Sequence, residues 1–264
     1  MHDPLEGVTA EGTIRTGADR ARIPADLWPV LEAAVDLACA ERPEVSVYVY
    51  GSVATGQAKI PTSDVDLLTI QLPVDAANQI SGVLSSRFGD LCRGVEIAVS
   101  TDGDFVGEGD EAYGGRVFLH HYCVHLAGPE RDRAVEDFPA DDRAVRGFNG
   151  DIALHARRWR HDLAHVEPEV LGRRVARKTL LAVAGLVSIR DDTWTTDRDH
   201  AARRWSQIEP DRGDDLERLL AWSSGRSHPT GSQIATMLDD TIDRVVTTFG
   251  EQIGFWNEPP SSPH

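Results

Sequence analysis

The stretch YVYGSVATGQAKIPTSDVDLLTI, residues 48–70, decides the reading of this chain. It opens and closes as β-rich runs, yet it sets Gly51-Ser52 at the end of the first and two acids, Asp64 and Asp66, in the second. Side chains on a strand alternate between faces, so Asp64 and Asp66 point the same way with their α-carbons ~7 Å apart. Leu68 and Ile70 fall on that same face, which is therefore expected to be buried further along. A buried carboxylate is costly unless a cation or hydrogen-bond donors compensate it, and two on one strand call for a reason. A metal ion held between them is that reason.

A third acid completes the set. Glu96 stands between Val95 and Ile97 in GVEIAVS, residues 94–100, which reads as another strand. If this strand neighbours DVDLLTI, Asp64, Asp66 and Glu96 form a three-carboxylate cluster, a hard oxygen set suited to magnesium shared with a substrate's phosphates. Gly51 at a strand end lets backbone approach a ligand closely, and SVATG after it can start a helix whose free N–H groups face an anion. Ser52 adds a hydroxyl donor. A phosphate cradle beside a metal activates the α-phosphorus of a triphosphate toward an incoming hydroxyl, with a carboxylate taking the proton.

Outward from this stretch, PADLWPVLEAAVDLACAERPE (24–44) carries Leu27, Leu31, Ala34, Val35 and Ala38 at helical spacing. VDAANQISGVLSSRFG (74–89) places Ala77, Ile80, Val83 and Leu84 on one helical face, and RVFLHHYCVHLAG (116–128) alternates as a strand. The order predicts a small mixed sheet with helices packed against it. The charged, proline-bearing segment 128–143 marks a boundary, after which all patterns are helical. Residues 170–190 are apolar nearly all round and predict a central buried helix. Ile234, Leu238, Ile242, Val245 and Phe249 line a last long helix that Thr230 and Gln233 start as a capping box. The expected fold is α+β: a loosely ordered arm (1–20), an α/β domain with a mixed sheet (21–130), an α-helical bundle (141–256) and a tail (257–264).

Gly51-Ser52, then Ser63-Asp64-Val65-Asp66-Leu67-Leu68, then an acid on a later strand resembles the nucleotidyltransferase superfamily related to DNA polymerase beta. The two-domain order at this length is similar to the aminoglycoside (streptomycin and spectinomycin) adenylyltransferases. The resemblance implies that Asp64 and Asp66 bind Mg2+, that Glu96 binds metal or acts as base, and that Gly51, Ser52 and Ser63 hold the nucleotide. It further implies transfer of AMP from ATP to a hydroxyl of a small acceptor. The family's Ser-Lys before an Ala-Ala-x-x-Trp-like helix has no matching lysine in TTDRDHAARRW, which leaves Lys178 and Arg198 as the basic candidates for the triphosphate. The runner-up is a regulator or antitoxin of the same fold that modifies or binds a protein partner.

Charge narrows the acceptor. With 43 acidic against 27 basic residues the chain carries a formal charge of -16, which disfavours a nucleic-acid substrate and favours a cationic one such as an aminoglycoside. No apolar run approaches a membrane span, the N-terminus has no signal-like pattern, and three widely spaced cysteines suit reduced thiols, so a cytoplasmic enzyme is expected. Two further patterns are weaker. His121, Cys123 and His125 alternate on the expected strand and invite a zinc reading, and Arg160 with His165 has the R-x4-H spacing of HEPN ribonucleases.

Overall fold

The computed structural model, which describes residues 3–132, 134 and 137–258, begins with a hairpin. β1 (Gly7–Val8) pairs antiparallel with β2 (Ile14–Arg15). The arm expected over residues 1–20 is therefore built in from Asp3. Ile14 is buried, its N–H donates to the Phe138 carbonyl at 2.8 Å, and the Tyr122 hydroxyl donates to Glu6 at 3.0 Å. Residues 1–2 of the arm and 259–264 of the tail lie outside the described residues.

The chain divides into two compact units. The first takes the residues up to Thr9, Thr13–Glu108 and Gly115–Phe138; the second takes Ala10–Gly12, Gly109–Gly114 and the chain from Pro139. In the first, α1 (Trp28–Glu41), β3 (Ser46–Tyr50), the single turn α2 (Gly51–Ala54), β4 (Val65–Ile70), α3 (Val74–Arg87) and β5 (Val95–Ser100) follow the predicted order. α4 (Asp110–Tyr122) and β6 (Val124–Ala127) come next. The sheet runs β5-β4-β3-β6, parallel between β4 and β5 and antiparallel elsewhere, so it is mixed.

One sheet face, Val47, Val49, Val65, Leu67 and Val95, is buried with Leu31, Ala34 and Ala38 of α1 and Ala77, Ile80 and Leu84 of α3. Val83, expected on the apolar face of α3, is exposed; the 3.6-residue period instead turns Ala76 inward. On the other sheet face Tyr48, Leu68 and Ile70 pack with Leu119 of α4. This is the buried continuation that the Asp66 face required.

The strand expected over 116–128 is a helix through Tyr122, and only Val124–Ala127 remains extended. The physical reason is a stripe at i, i+4, i+8: Tyr113, Val117 and His121 are all buried. Asp110 and Glu111 in the first turn and His120 and His121 in the last complement the helix dipole.

The second unit is helical from α5 (Asp142–Asn149) through α6 (Ile152–Asp162), α7 (Pro168–Arg190), α8 (Arg198–Ile208), α9 (Gly213–Ser224), α10 (Gly231–Met237) and α11 (Asp243–Gln252). α7 is the central helix: Leu171, Val175, Leu180, Val183, Leu186 and Val187 are buried around its girth, and α5, α6, α8, α9, α10 and α11 pack on it. Thr230 and Gln233 form the expected capping box, and a π turn, Leu238–Ile242, joins α10 to α11. Among the described residues no helix is long and apolar enough to cross a membrane.

Two glycines let the first turn of α4 cross α5 at backbone contact. A Cβ on Gly114 would fall 2.4 Å from Gly147 backbone atoms, and one on Gly147 2.7 Å from the Gly114 α-carbon. Beside this crossing a buried ion pair forms: Arg146 Nε donates to Asp110 Oδ2 at 2.7 Å, with both side chains under a tenth exposed. Burial acts against the Asp110 charge, but hydrogen bonds from Arg146 and the Asn257 N–H prevail and hold its carboxyl below the usual range. Arg146→Met leaves that buried carboxylate with only the more distant cation of Arg143, 3.7 Å away, and is expected to cost about 3 kcal/mol in urea unfolding. Adding Asp110→Asn to it recovers part of the loss, whereas independent sites would show additive losses.

Candidate active site

The site acids are positioned by strand register. Asp66 pairs across β4 and β5 with Glu96, and across β4 and β3 with Tyr50, so the three side chains form a row on one sheet face. Adjacent strands lie ~4.8 Å apart, which sets the Asp66 and Glu96 carboxylates side by side. Like charges directly opposite one another destabilise a sheet, and a cation between them removes that cost. β4 is an interior strand, not a solvent-facing edge, and Asp66 is half-buried whereas Glu96 on the edge strand is exposed. The Tyr50 phenol is pushed above its ordinary value, first by burial and then by the charges of Asp66, Cys123 and Glu96.

Gly51 closes the row from above. Its φ is +68°, and a Cβ there would stand 2.8 Å from Asp66 Oδ2, so both conformation and space demand glycine. Half-buried Ser52 follows it in α2. These residues fit a hard cation on the chemistry of the donor set: two acids in register, a third two residues away, and backbone brought against one of them.

Asp64 stands just before β4 and its carboxylate is engaged. Arg93 Nε donates to Oδ1 at 2.9 Å and Arg93 Nη2 bonds Oδ2. Sequence reasoning missed Arg93, because it lies in the short loop before β5 with no periodic signal. The Ser63 hydroxyl accepts the Lys59 N–H at 2.8 Å and so closes the 59–63 turn from a buried position. Lys178 is bound inside the helical unit, its amine 2.7 Å from Asp151 Oδ1 and 2.9 Å from the Phe148 carbonyl. Arg198 is the first residue of α8, next to the cap Asp197.

The other sequence candidates are occupied by structure. Three acids of the 101–111 segment are engaged: Asp102 with Arg131 at 3.3 Å, Asp104 with Ser100 and Thr101, and Asp110 with Arg146. Arg160 donates to the Leu238 carbonyl at 2.8 Å, a structural tie rather than an R-x4-H site. His121, Cys123 and His125 do not alternate on one strand, because the first of them ends a helix.

Among the described residues, the one group in which three such ligand atoms lie within 4.8 Å of one another is His120, His121 and Asp137. Three of its four ring nitrogens are engaged. His120 bridges Asp132 at 2.6 Å and Asp137 at 3.1 Å, and His121 Nε2 accepts the Phe138 N–H at 3.0 Å, which leaves the remaining ring proton on Nδ1.

Comparison with known proteins follows the same lines. No family model matches the chain, and no curated protein matches it. Among solved structures the fold is similar to that of the spectinomycin adenyltransferase AAD(9) from Enterococcus faecialis, solved with ATP and spectinomycin. The TM-score is 0.52 at 11% identity, over 84% of this chain and 98% of that one. The chain thus shares the α+β fold of AAD(9), a mixed sheet with helices followed by a helical unit.

The histidine pair yields a pH prediction. Burial, then the neighbouring His120 charge, push the His121 pKa down to about 4. Its contribution is complete above the ordinary histidine value of about 6.5 and is lost as pH falls toward 4. His120 has the opposite sign: burial acts to lower its value, Asp132 and Asp137 outweigh this and raise it, and its contribution is lost as pH rises. His121→Gln, whose amide oxygen still accepts from Phe138, is expected to remove about 2 kcal/mol of the stability lost between pH 7 and pH 5. Urea unfolding of both proteins at the two pH values measures this, and parallel losses would refute it.

Proposed function

We propose that this protein is a magnesium-dependent nucleotidyltransferase that moves AMP from ATP onto a hydroxyl of a small cationic acceptor. The observation that carries the reading is the register that puts Asp66 beside Glu96, with the Gly51 backbone against Asp66. The likeness of fold to AAD(9), a protein solved with ATP and spectinomycin, supports nucleotidyl transfer as the reaction class and an aminoglycoside-like amino sugar as the acceptor class.

In this reading Asp64 and Asp66, with Glu96 beside them, would hold a magnesium ion, which would supply polarisation of the α-phosphate and neutralisation of the charge that builds on it. Gly51 and Ser52 hold phosphate oxygens through backbone N–H groups, with Ser52 Oγ as a further donor. Glu96 accepts the acceptor hydroxyl's proton as the new P–O bond forms and the bond to pyrophosphate breaks. Its exposed position on the edge strand gives that proton a route to water. The acidic chain draws a polycation by long-range attraction.

Four measurements test this. ATP with Mg2+ is expected to raise the melting temperature, by the equivalent of about 2.7 kcal/mol at a hundredfold excess over Kd. Asp64→Ala with Asp66→Ala abolishes the shift without unfolding the chain, and an unchanged shift sinks the metal assignment. Glu96→Gln is expected to slow single-turnover transfer by roughly 100-fold or more. An acceptor screen over four nucleoside triphosphates, read by pyrophosphate release, identifies the substrates, and acceptor affinity should fall as salt rises.

A further inference from the structure

Among the site acids, Asp64 is held by a bidentate cation. Its carboxylate takes both arms of the Arg93 fork, and the two side chains differ sharply in exposure, 17% for Asp64 and 64% for Arg93. The pairing is built into the backbone. Arg93 N–H donates to the Ser63 carbonyl at 3.0 Å and Val65 N–H to the Gly94 carbonyl at 2.9 Å, so the loop before β5 is laced to the residues on either side of Asp64. Gly94 brings that loop in without a side chain of its own; a Cβ there would stand 3.9 Å from Asp64 Oδ1. The Asp64 hydrogen bond in turn raises the Arg93 pKa.

We propose that Arg93 is an internal counter-ion that competes with the divalent cation for Asp64. The inference rests on the carboxylate site proposed above and adds a rule for how that site fills. A bare cation must take Asp64 from a bidentate guanidinium, the strongest geometry for an arginine and a carboxylate. A cation that arrives on a triphosphate brings anionic oxygens that give the released guanidinium a new partner. The site therefore resists bare metal and accepts metal bound to nucleotide. An arginine at this position is a positioning residue: it sets the state of Asp64 and takes no part in bond making.

The test uses Mn2+ as the probe, titrated into the full-length chain by calorimetry and by electron paramagnetic resonance, with wild type, Arg93→Ala, Arg93→Lys and Asp66→Asn compared. Arg93 is exposed enough that its substitution leaves the core intact, and circular dichroism checks this. Arg93→Ala is expected to bind bare Mn2+ about two- to fivefold more tightly than wild type, the scale for losing one partly exposed ion pair. Arg93→Lys, which keeps the charge but loses the fork, falls between them, and Asp66→Asn binds least. With a non-hydrolysable ATP analogue present, the advantage of Arg93→Ala disappears or reverses.

Three results overturn the proposal. If Arg93→Lys matches wild type while Arg93→Ala binds more tightly, the effect is net charge and not competition for Asp64. If all the Arg93 variants bind equally well, Arg93 has no part in filling the site, and the carboxylate site itself stands. If neither wild type nor Arg93→Ala binds Mn2+ with or without the analogue, the site reading fails together with the inference.

Discussion

Everything at the candidate site depends on one pairing, the parallel register of β4 and β5. A slip of one residue would turn Asp66 and Glu96 to opposite faces and separate the acids for good. The register is held from behind. Val65, Leu67 and Val95 fill the opposite face against α1 and α3, and α3 is the crossover that a parallel pair requires. Hydrogen bonds from Val65 to Gly94 and from Gln71 to Ser100 pin the two ends of the ladder. A site that looks like three acids is thus specified mostly by valine, leucine and alanine.

The same division explains what the sequence could and could not tell. The α+β order, the burial of the DVDLLTI face beyond its acids and the buried helix expected over 170–190 follow from periods of 2 and 3.6, which are local properties of the chain. The helix at 110–122 was hidden by two kinds of interference. Its residues Val117, Phe118 and Tyr122 favour strands, and Gly114-Gly115 in its first turns oppose helix. Gly114 is there because the Gly147 backbone comes within contact distance, a tertiary demand with no trace in the local pattern. Arg93 was hidden for a similar reason: its partner is 29 residues away, across a strand pairing.

Charge was legible in total and not in distribution. The arginine-rich stretch between residues 143 and 204 looks like a basic face on paper. In the structure Arg146, Arg173 and Arg204 meet Asp110, Glu169 and Asp191 within their own unit, and Lys178 meets Asp151. Several of the cations that sequence counting offers to a polyanion are here committed to neighbouring carboxylates. The acidic excess therefore remains the dominant long-range field, with short-range neutralisation beneath it.

The edge position of β5 has a consequence for the solubility of the protein. An open strand edge invites a second chain to add to the sheet, and natural proteins guard such edges with charge. β5 is short, half-exposed and mostly apolar, with Val95, Ile97, Ala98 and Val99 before Ser100, and Glu96 is its only charged residue. In the proposed reading one side chain serves both chemistry on the sheet face and protection along the sheet edge. Loss of charge at position 96 would then expose a sticky strand as well as remove the proposed base, so lineages that abandon the proposed activity should replace this acid with another charge rather than with an apolar residue.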